Sequence, residues 1–149
     1  MIEVVRTNSE DKRFKTLITE LDNDLMSRYS NDPYKFDINI HLDYINTAVI
    51  AQLTNITVGC GCFKEIDDHT VEIKRMYVNP YFRGFGVASM VINSLTNWAK
   101  ELFYDNAVLE TGINQPEAIK LYEKNGFQKI PPFEPYIGIA NSICMGKKL

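Results

Sequence analysis

Long apolar runs are missing from this 149-residue chain, and so is any clustering of lysine and arginine along one stretch. The first absence removes a helical membrane protein from consideration. The second, with a formal charge of −3, argues against a nucleic-acid partner. Cysteine is scarce and odd in number: Cys60, Cys62 and Cys144 form no paired framework, so reduced thiols are expected. Two histidines, His41 and His69, and no Cys-x-x-Cys leave too few ligands for zinc, so no metal is expected. The opening MIEVVRTNSE carries Glu3 and Arg6 and lacks the apolar core of a signal peptide, which makes the cytoplasm the expected location. No Ser/His/Asp or Cys/His arrangement stands out.

What is present is ordinary globular composition, with 45% hydrophobic and 23% charged residues and no internal repeat or low-complexity linker. One domain over residues 1–149 is expected, large enough for a single core. Ile2 to Arg6 reads as a short strand. Thr7, Asn8 and Ser9 supply cap candidates for a helix on which Phe14, Leu17, Ile18, Leu21 and Leu25 recur at helical spacing, ending near Arg28. Residues 29–34 are turn chemistry, and residues 36–44 read equally as a short helix or an irregular flap.

Residues 47–53 and 56–64 read as an antiparallel pair, and Asp67-Asp68 turns the chain into a third strand at 70–78. A long helix follows, its apolar stripe running Ala88, Val91, Ile92, Leu95, Trp98, Ala99, Leu102 and Phe103. Residues 107–111 form a buried strand, and Gln115-Pro116-Glu117 opens a second helix that stops at Gly126. A strand near Phe127 and another at 141–147 complete the pattern. Helical crossovers between strands require at least one parallel pair, so the fold class is α/β: a mixed sheet, antiparallel at its front, with helices on both faces. Cys60 and Cys62 alternate with Gly59 and Gly61 and should pack on one face.

The stretch that organises the chain is VEIKRMYVNPYFRGFGVA, residues 71–88, a strand that passes through a glycine turn into a helix. Backbone N–H groups converge at such a turn, and the helix dipole adds partial positive charge there. A side chain at Gly84 or Gly86 would hold phosphate oxygens away from those donors, and Arg83 adds a fixed cation. The pattern is not the dinucleotide fingerprint, since Ser89 stands where a third glycine is needed, and no Gly-Lys-Ser/Thr follows as in a P-loop.

Arg83, two residues, Gly86, one residue, Ala88 resembles the pyrophosphate signature of the GNAT superfamily of acyl-CoA-dependent N-acyltransferases. AIKLYEKNGF, residues 118–127, resembles that family's second CoA-binding helix, and the spacing between the blocks also matches. The resemblance implies that two parallel strands, ending near Val78 and Gly112, splay apart at the cofactor. It implies acetyl-CoA as donor and CoA as product, with the pyrophosphate on Arg83, Gly84, Phe85, Gly86, Val87, Ala88 and Ser89. The pantetheine arm would run along Met76, Tyr77 and Val78, with Ala118 and Tyr122 beside it. Many members carry Asn three residues before this Ala, where this chain has Gln115 after Asn114, and either amide could reach the cofactor.

Direct transfer to an amine needs a base for the amine, a donor for the carbonyl oxygen and a proton for the departing thiolate. Tyr122 is the acid that the resemblance implies, and the Val78 N–H the oxyanion donor. Glu72 is the candidate base, since a Glu is an odd choice inside a central strand, although pairing with Lys74 or Arg75 would also explain it. By alternation Glu72, Lys74, Met76 and Val78 should share a face.

The acceptor is expected to be a small-molecule amine, met by Tyr29, Tyr34, Phe36 and Tyr136 as aromatic walls with Glu134 and Asp37 as amine partners. An acetyl-CoA sensor without turnover, or a protein N-acetyltransferase, would share most of these residues, and related chains are often homodimers.

Overall fold

Alternation and helical periodicity resolve into seven strands and three α-helices among residues 1–29 and 43–149, the residues that the computed structural model describes. Strand β1 (Ile2–Thr7) leads into α1 (Lys12–Tyr29), and β2 (Ala48–Leu53), β3 (Ile56–Asp67) and β4 (Thr70–Val78) follow as a meander. Helix α2 (Val87–Glu101), β5 (Asn106–Gly112), α3 (Pro116–Lys124), β6 (Gln128–Lys129) and β7 (Ser142–Lys148) complete the order. The strands make one sheet in the order β1-β2-β3-β4-β5-β7-β6. Only β4 and β5 run parallel, and they pair only at Thr70–Asn106, Val71–Ala107 and Glu72–Val108. Beyond Glu72 the two strands part, so the expected splay lies in the middle of the sheet.

Helices cover both faces because each has one apolar side. Phe14, Leu17 and Leu21 of α1 pack with Ile50, Cys60, Cys62 and Tyr77 on one face. Val87, Val91, Ile92, Leu95 and Ala99 of α2 pack on the other with Val49, Val58, Phe63, Ile73 and Val78. Burying side chains of this size contributes about 1.5–3 kcal/mol each. The close approach of α2 requires glycine on β3: a side-chain carbon at Gly61 would lie 2.9 Å from Leu95 Cδ1 and 2.7 Å from Met76 Sδ. Cys60 and Cys62 share the α1 face, and burial pushes both thiols up, so neither is a nucleophile at neutral pH.

Three local expectations need correction. The cap of α1 is Asp11, whose Oδ1 accepts from the Arg13 N–H at 2.9 Å, and not Thr7, Asn8 or Ser9; Ser9 is instead buried and bonds the Ile45 N–H. The stripe of α2 ends with the helix at Glu101, because Phe103 takes a left-handed φ of 69° and stands exposed beside Leu102.

The third correction concerns β4, where alternation fails. Cys60 pairs with Tyr77 but Cys62 pairs with Lys74, so Arg75 and Met76 together oppose the single residue Gly61. Arg75 has φ 58°. This β-bulge sends Met76 and Val78 to the α2 face while Glu72 and Lys74 stay with Tyr136 on the opposite one. The four residues therefore do not share a face.

No described helix is long and apolar enough to cross a membrane.

Candidate functional site

The glycine turn has the conformation that its residues call for. After a single 3-10 turn over Pro80–Phe82, Gly84 and Gly86 adopt φ of 88° and 81°, values that disfavour any side chain. A side-chain carbon at either glycine would meet nothing within 4 Å, so the turn is an open cradle. Gly86 is the residue before α2 and supplies no side-chain cap, which leaves the first N–H groups of that helix for a ligand. An uncapped N-terminus beside an open, left-handed glycine turn fits an anion.

Arg83 is exposed beside the cradle. Its Nε donates to the Val78 carbonyl at 2.9 Å, and its guanidinium lies 5.6 Å from the Tyr77 ring centroid. One edge of the fork is therefore anchored, and the anchored residue precedes the glycine turn directly. Ser89 Oγ accepts from Asn125 Nδ2 at 3.1 Å, which ties α3 to the first turn of α2.

From this cradle a cavity of about 340 Å³ runs between the parted strands. Met76, Tyr77 and Val78 line one side, Arg83, Gly84, Gly86, Val87, Ala88 and Ser89 the turn, and Gln115, Ala118 and Tyr122 the other side. Helix α1 contributes Leu21, Asp24 and Arg28 to the wall. Because β5 has left the partnership after Val108, the β4 edge beyond Glu72 has no strand against it on that side. An amide-bearing ligand could pair there as an added strand.

Of the two amides left open by the sequence, the structure places Gln115 at the cavity. Its Oε1 accepts from the Gly112 N–H and from Tyr29 Oη, each at 3.1 Å. Asn114 points its backbone carbonyl at Arg28 Nη1 and does not line the cavity. Tyr29 is 3% exposed and seated on Gly112, where a side-chain carbon would overlap its hydroxyl, so it belongs to the packing behind the cavity wall. Phe85 of the turn is exposed. Tyr34, Phe36 and Asp37 lie outside the described residues.

Tyr122 is 6% exposed, lines the cavity and packs edge-on to Phe127 at 5.9 Å between ring centroids. Burial, and to a smaller degree the Glu110 carboxylate, pushes its phenol up, so it keeps its proton throughout the neutral range.

On the α1 face, where β4 and β5 part, stands an acidic cluster. Glu72 is 4% exposed and accepts from Tyr136 Oη at 2.6 Å. Lys74 Nζ stands 3.6 Å from the same carboxylate. Both pairing partners weighed for Glu72 thus become one: Lys74 is its neighbour, while Arg75 reaches Asp22. Tyr136 is held by Glu72 and by an edge-on contact with Phe133 at 5.2 Å, and Glu134 is exposed.

Glu110, two residues beyond the last β4–β5 pair, is the residue that sequence reasoning missed. Ser142 Oγ donates to it at 2.7 Å. Burial raises its carboxyl to about 7 and the nearby Glu72 charge adds to the rise, against the Ser142 bond and the Lys74 charge. The signal that could have found it is the one applied to Glu72, an acid inside an apolar strand. Among the described residues no cluster of three or more His, Cys, Asp or Glu could hold a metal ion.

The Acetyltransferase (GNAT) family model matches residues 14–127. A protein named IAA acetyltransferase from Azospirillum brasilense is 33% identical over 140 residues, covering 89% of this chain and 88% of its own. The crystal structure of a protein provisionally described as an acyl-CoA N-acyltransferase, from Klebsiella pneumoniae, superposes with TM-score 0.79 at 28% identity, covering 100% of this chain and 97% of the other. A GNAT family acetyltransferase from Elizabethkingia anophelis, solved with acetyl-CoA bound, gives TM-score 0.60 at 25% identity over 69% of this chain and 76% of its own.

Proposed function

Because the chain belongs to the GNAT acetyltransferase family, we propose that it moves the acetyl group of acetyl-CoA directly onto a primary amine of a small molecule, with donor and acceptor held together. The observation that carries this reading is one continuous cavity that runs from the open glycine cradle past the free β4 edge to Tyr122. Its two ends suit the two ends of one ligand.

The residues present fit the carrier. The N–H groups of Gly84 to Ser89 with Arg83 would hold its pyrophosphate, and the β4 edge at Met76 to Val78 its amide-bearing arm. When bound, acetyl-CoA supplies an activated acyl group whose leaving group is a thiolate. The Val78 N–H is the donor offered to the carbonyl oxygen.

Tyr122, which lines the cavity, holds a proton at Oη for the leaving sulfur. Glu110 takes the proton from the acceptor. A carboxyl raised to about 7 is a stronger base than an ordinary one and still ionises at neutral pH, which is the balance general-base catalysis requires. Glu72, already accepting from Tyr136 and flanked by Lys74, holds Tyr136 within the acidic cluster. The amine's proton goes to Glu110 and the sulfur's arrives from Tyr122, so the transfer leaves a protonated Glu110 and a Tyr122 phenolate with the charge of the site unchanged. One proton must then pass from Glu110 back to Tyr122 before the next turnover.

An acceptor that reaches the buried Glu72 and the half-buried Glu110 is better a small amine than a folded protein surface. The test is thiol release from acetyl-CoA with a panel of amino acids, small amines and lysine peptides. Release that depends on a small amine supports the reading; tight CoA binding with no release across the panel would make the protein a sensor. Tyr122→Phe should lower turnover by about a hundredfold while leaving CoA affinity within a few fold, as expected for a general acid.

A further inference from the structure

We propose that Arg75 and Asp22 are positioning residues for the carrier-binding edge of β4, an inference that rests on the acyl-transfer reading above. Arg75 is one of three non-glycine residues with positive φ among the described residues, at 58°, and the closeness of its Cβ to the following carbonyl makes that conformation costly, on the order of 1–3 kcal/mol. Such a backbone persists only where its surroundings hold it. Two features do so.

On the sheet side, Gly61 faces Arg75 and Met76 together across the bulge, and the absent side chain leaves room for Met76 Sδ. On the helix side, Arg75 Nη1 reaches Asp22 Oδ1 at 2.7 Å, with the two side chains only 15% and 24% exposed. The side chain that leaves the bulge is thereby fastened to α1.

What the bulge does is local to the site. Met76, the second residue of the bulge, and Val78 beyond it turn to the α2 face, and Tyr77 turns to the α1 face. This sets the register in which the free β4 edge is presented to the cavity. Asp22 in turn lies on α1 between Leu21 and Asp24, both of which line the cavity. The ion pair therefore fixes the distance between the α1 wall and the β4 lip, although neither of its members lines the cavity. It acts through its neighbours.

Two variants separate this role from plain stability. Asp22→Asn keeps shape and backbone while removing the charge; Arg75→Gly relieves the backbone strain while removing the tie. CoA binding by calorimetry and steady-state kinetics with acetyl-CoA are measured on the full chain alongside the melting midpoint. Each variant should raise the Kd for CoA and the KM for acetyl-CoA by about tenfold, with kcat at saturation within about twofold of wild type. Arg75→Lys should recover most of the loss, and the double variant should be no worse than the weaker single one. If both variants bind CoA like wild type while wild type transfers acetyl groups, the positioning role alone is wrong. If wild type binds no CoA, the acyl-transfer reading fails and this inference fails with it.

Discussion

In the proposed transfer Glu110 and Tyr122 play opposite parts, base and acid, although burial raises both groups and favours the protonated form of each. For Glu110 the sign of the pH effect follows from a carboxyl raised from 4.5 to about 7. Its stabilising share is fully present below the unfolded value and is lost as pH rises through about 7, because the buried ionised form is the costly one. Glu110→Gln should therefore raise the melting midpoint more at pH 8 than at pH 5. Activity runs the other way. The base must be ionised, so kcat/KM should climb with pH through about 7 and level off above it; in Glu110→Gln that limb should vanish along with most of the rate. A pH profile unchanged in the variant would remove Glu110 from the mechanism. Glu72→Gln addresses a different function: with the Tyr136 bond weakened, acceptor KM should rise more than kcat falls.

At the scale of elements, the strand–turn–helix unit is where most of the reading was legible. The strand at 70–78 matches β4 to the residue, and Gly126 takes the left-handed φ of 91° expected after α3. Glycine spacing carries this information because positive φ and open space can be met by few other residues. Gly86→Val should strain the backbone at φ 81° and crowd the cradle, weakening CoA binding by tenfold or more while the melting midpoint falls only modestly, as calorimetry and thermal melts would show.

The bulge at Arg75 was not legible, since local alternation gives no sign of it. Its cause is tertiary, an aspartate 53 residues earlier together with a missing side chain on the neighbouring strand. The cap at Asp11 and the end of the α2 stripe slipped by a few residues for local reasons, several polar residues before α1 and apolar Leu102 and Phe103 past the end of α2, and Glu110 stayed hidden inside a strand read only as buried.

At the scale of the whole molecule, the sheet has, among the described residues, one interior place where neighbouring strands stop pairing, and α1 is fastened to both lips of that opening. Asp22 holds Arg75 on β4; Arg28 pairs with Glu117 on α3, and Tyr29 bonds Gln115 over Gly112. The opening is thus built into the topology rather than left by loose packing. Gly112→Ala should test this, because the added methyl would displace Tyr29, and overpacking of this kind costs typically about 1–3 kcal/mol in denaturant unfolding.

The most direct test of the account is calorimetric titration of the purified protein with CoA, run in parallel on Gly86→Val. Saturable binding of one CoA per chain, strongly weakened in the variant, is the expected result. No binding by the wild-type protein, or equal binding by the two, would contradict the assignment of the glycine cradle and the cavity behind it to the acyl carrier.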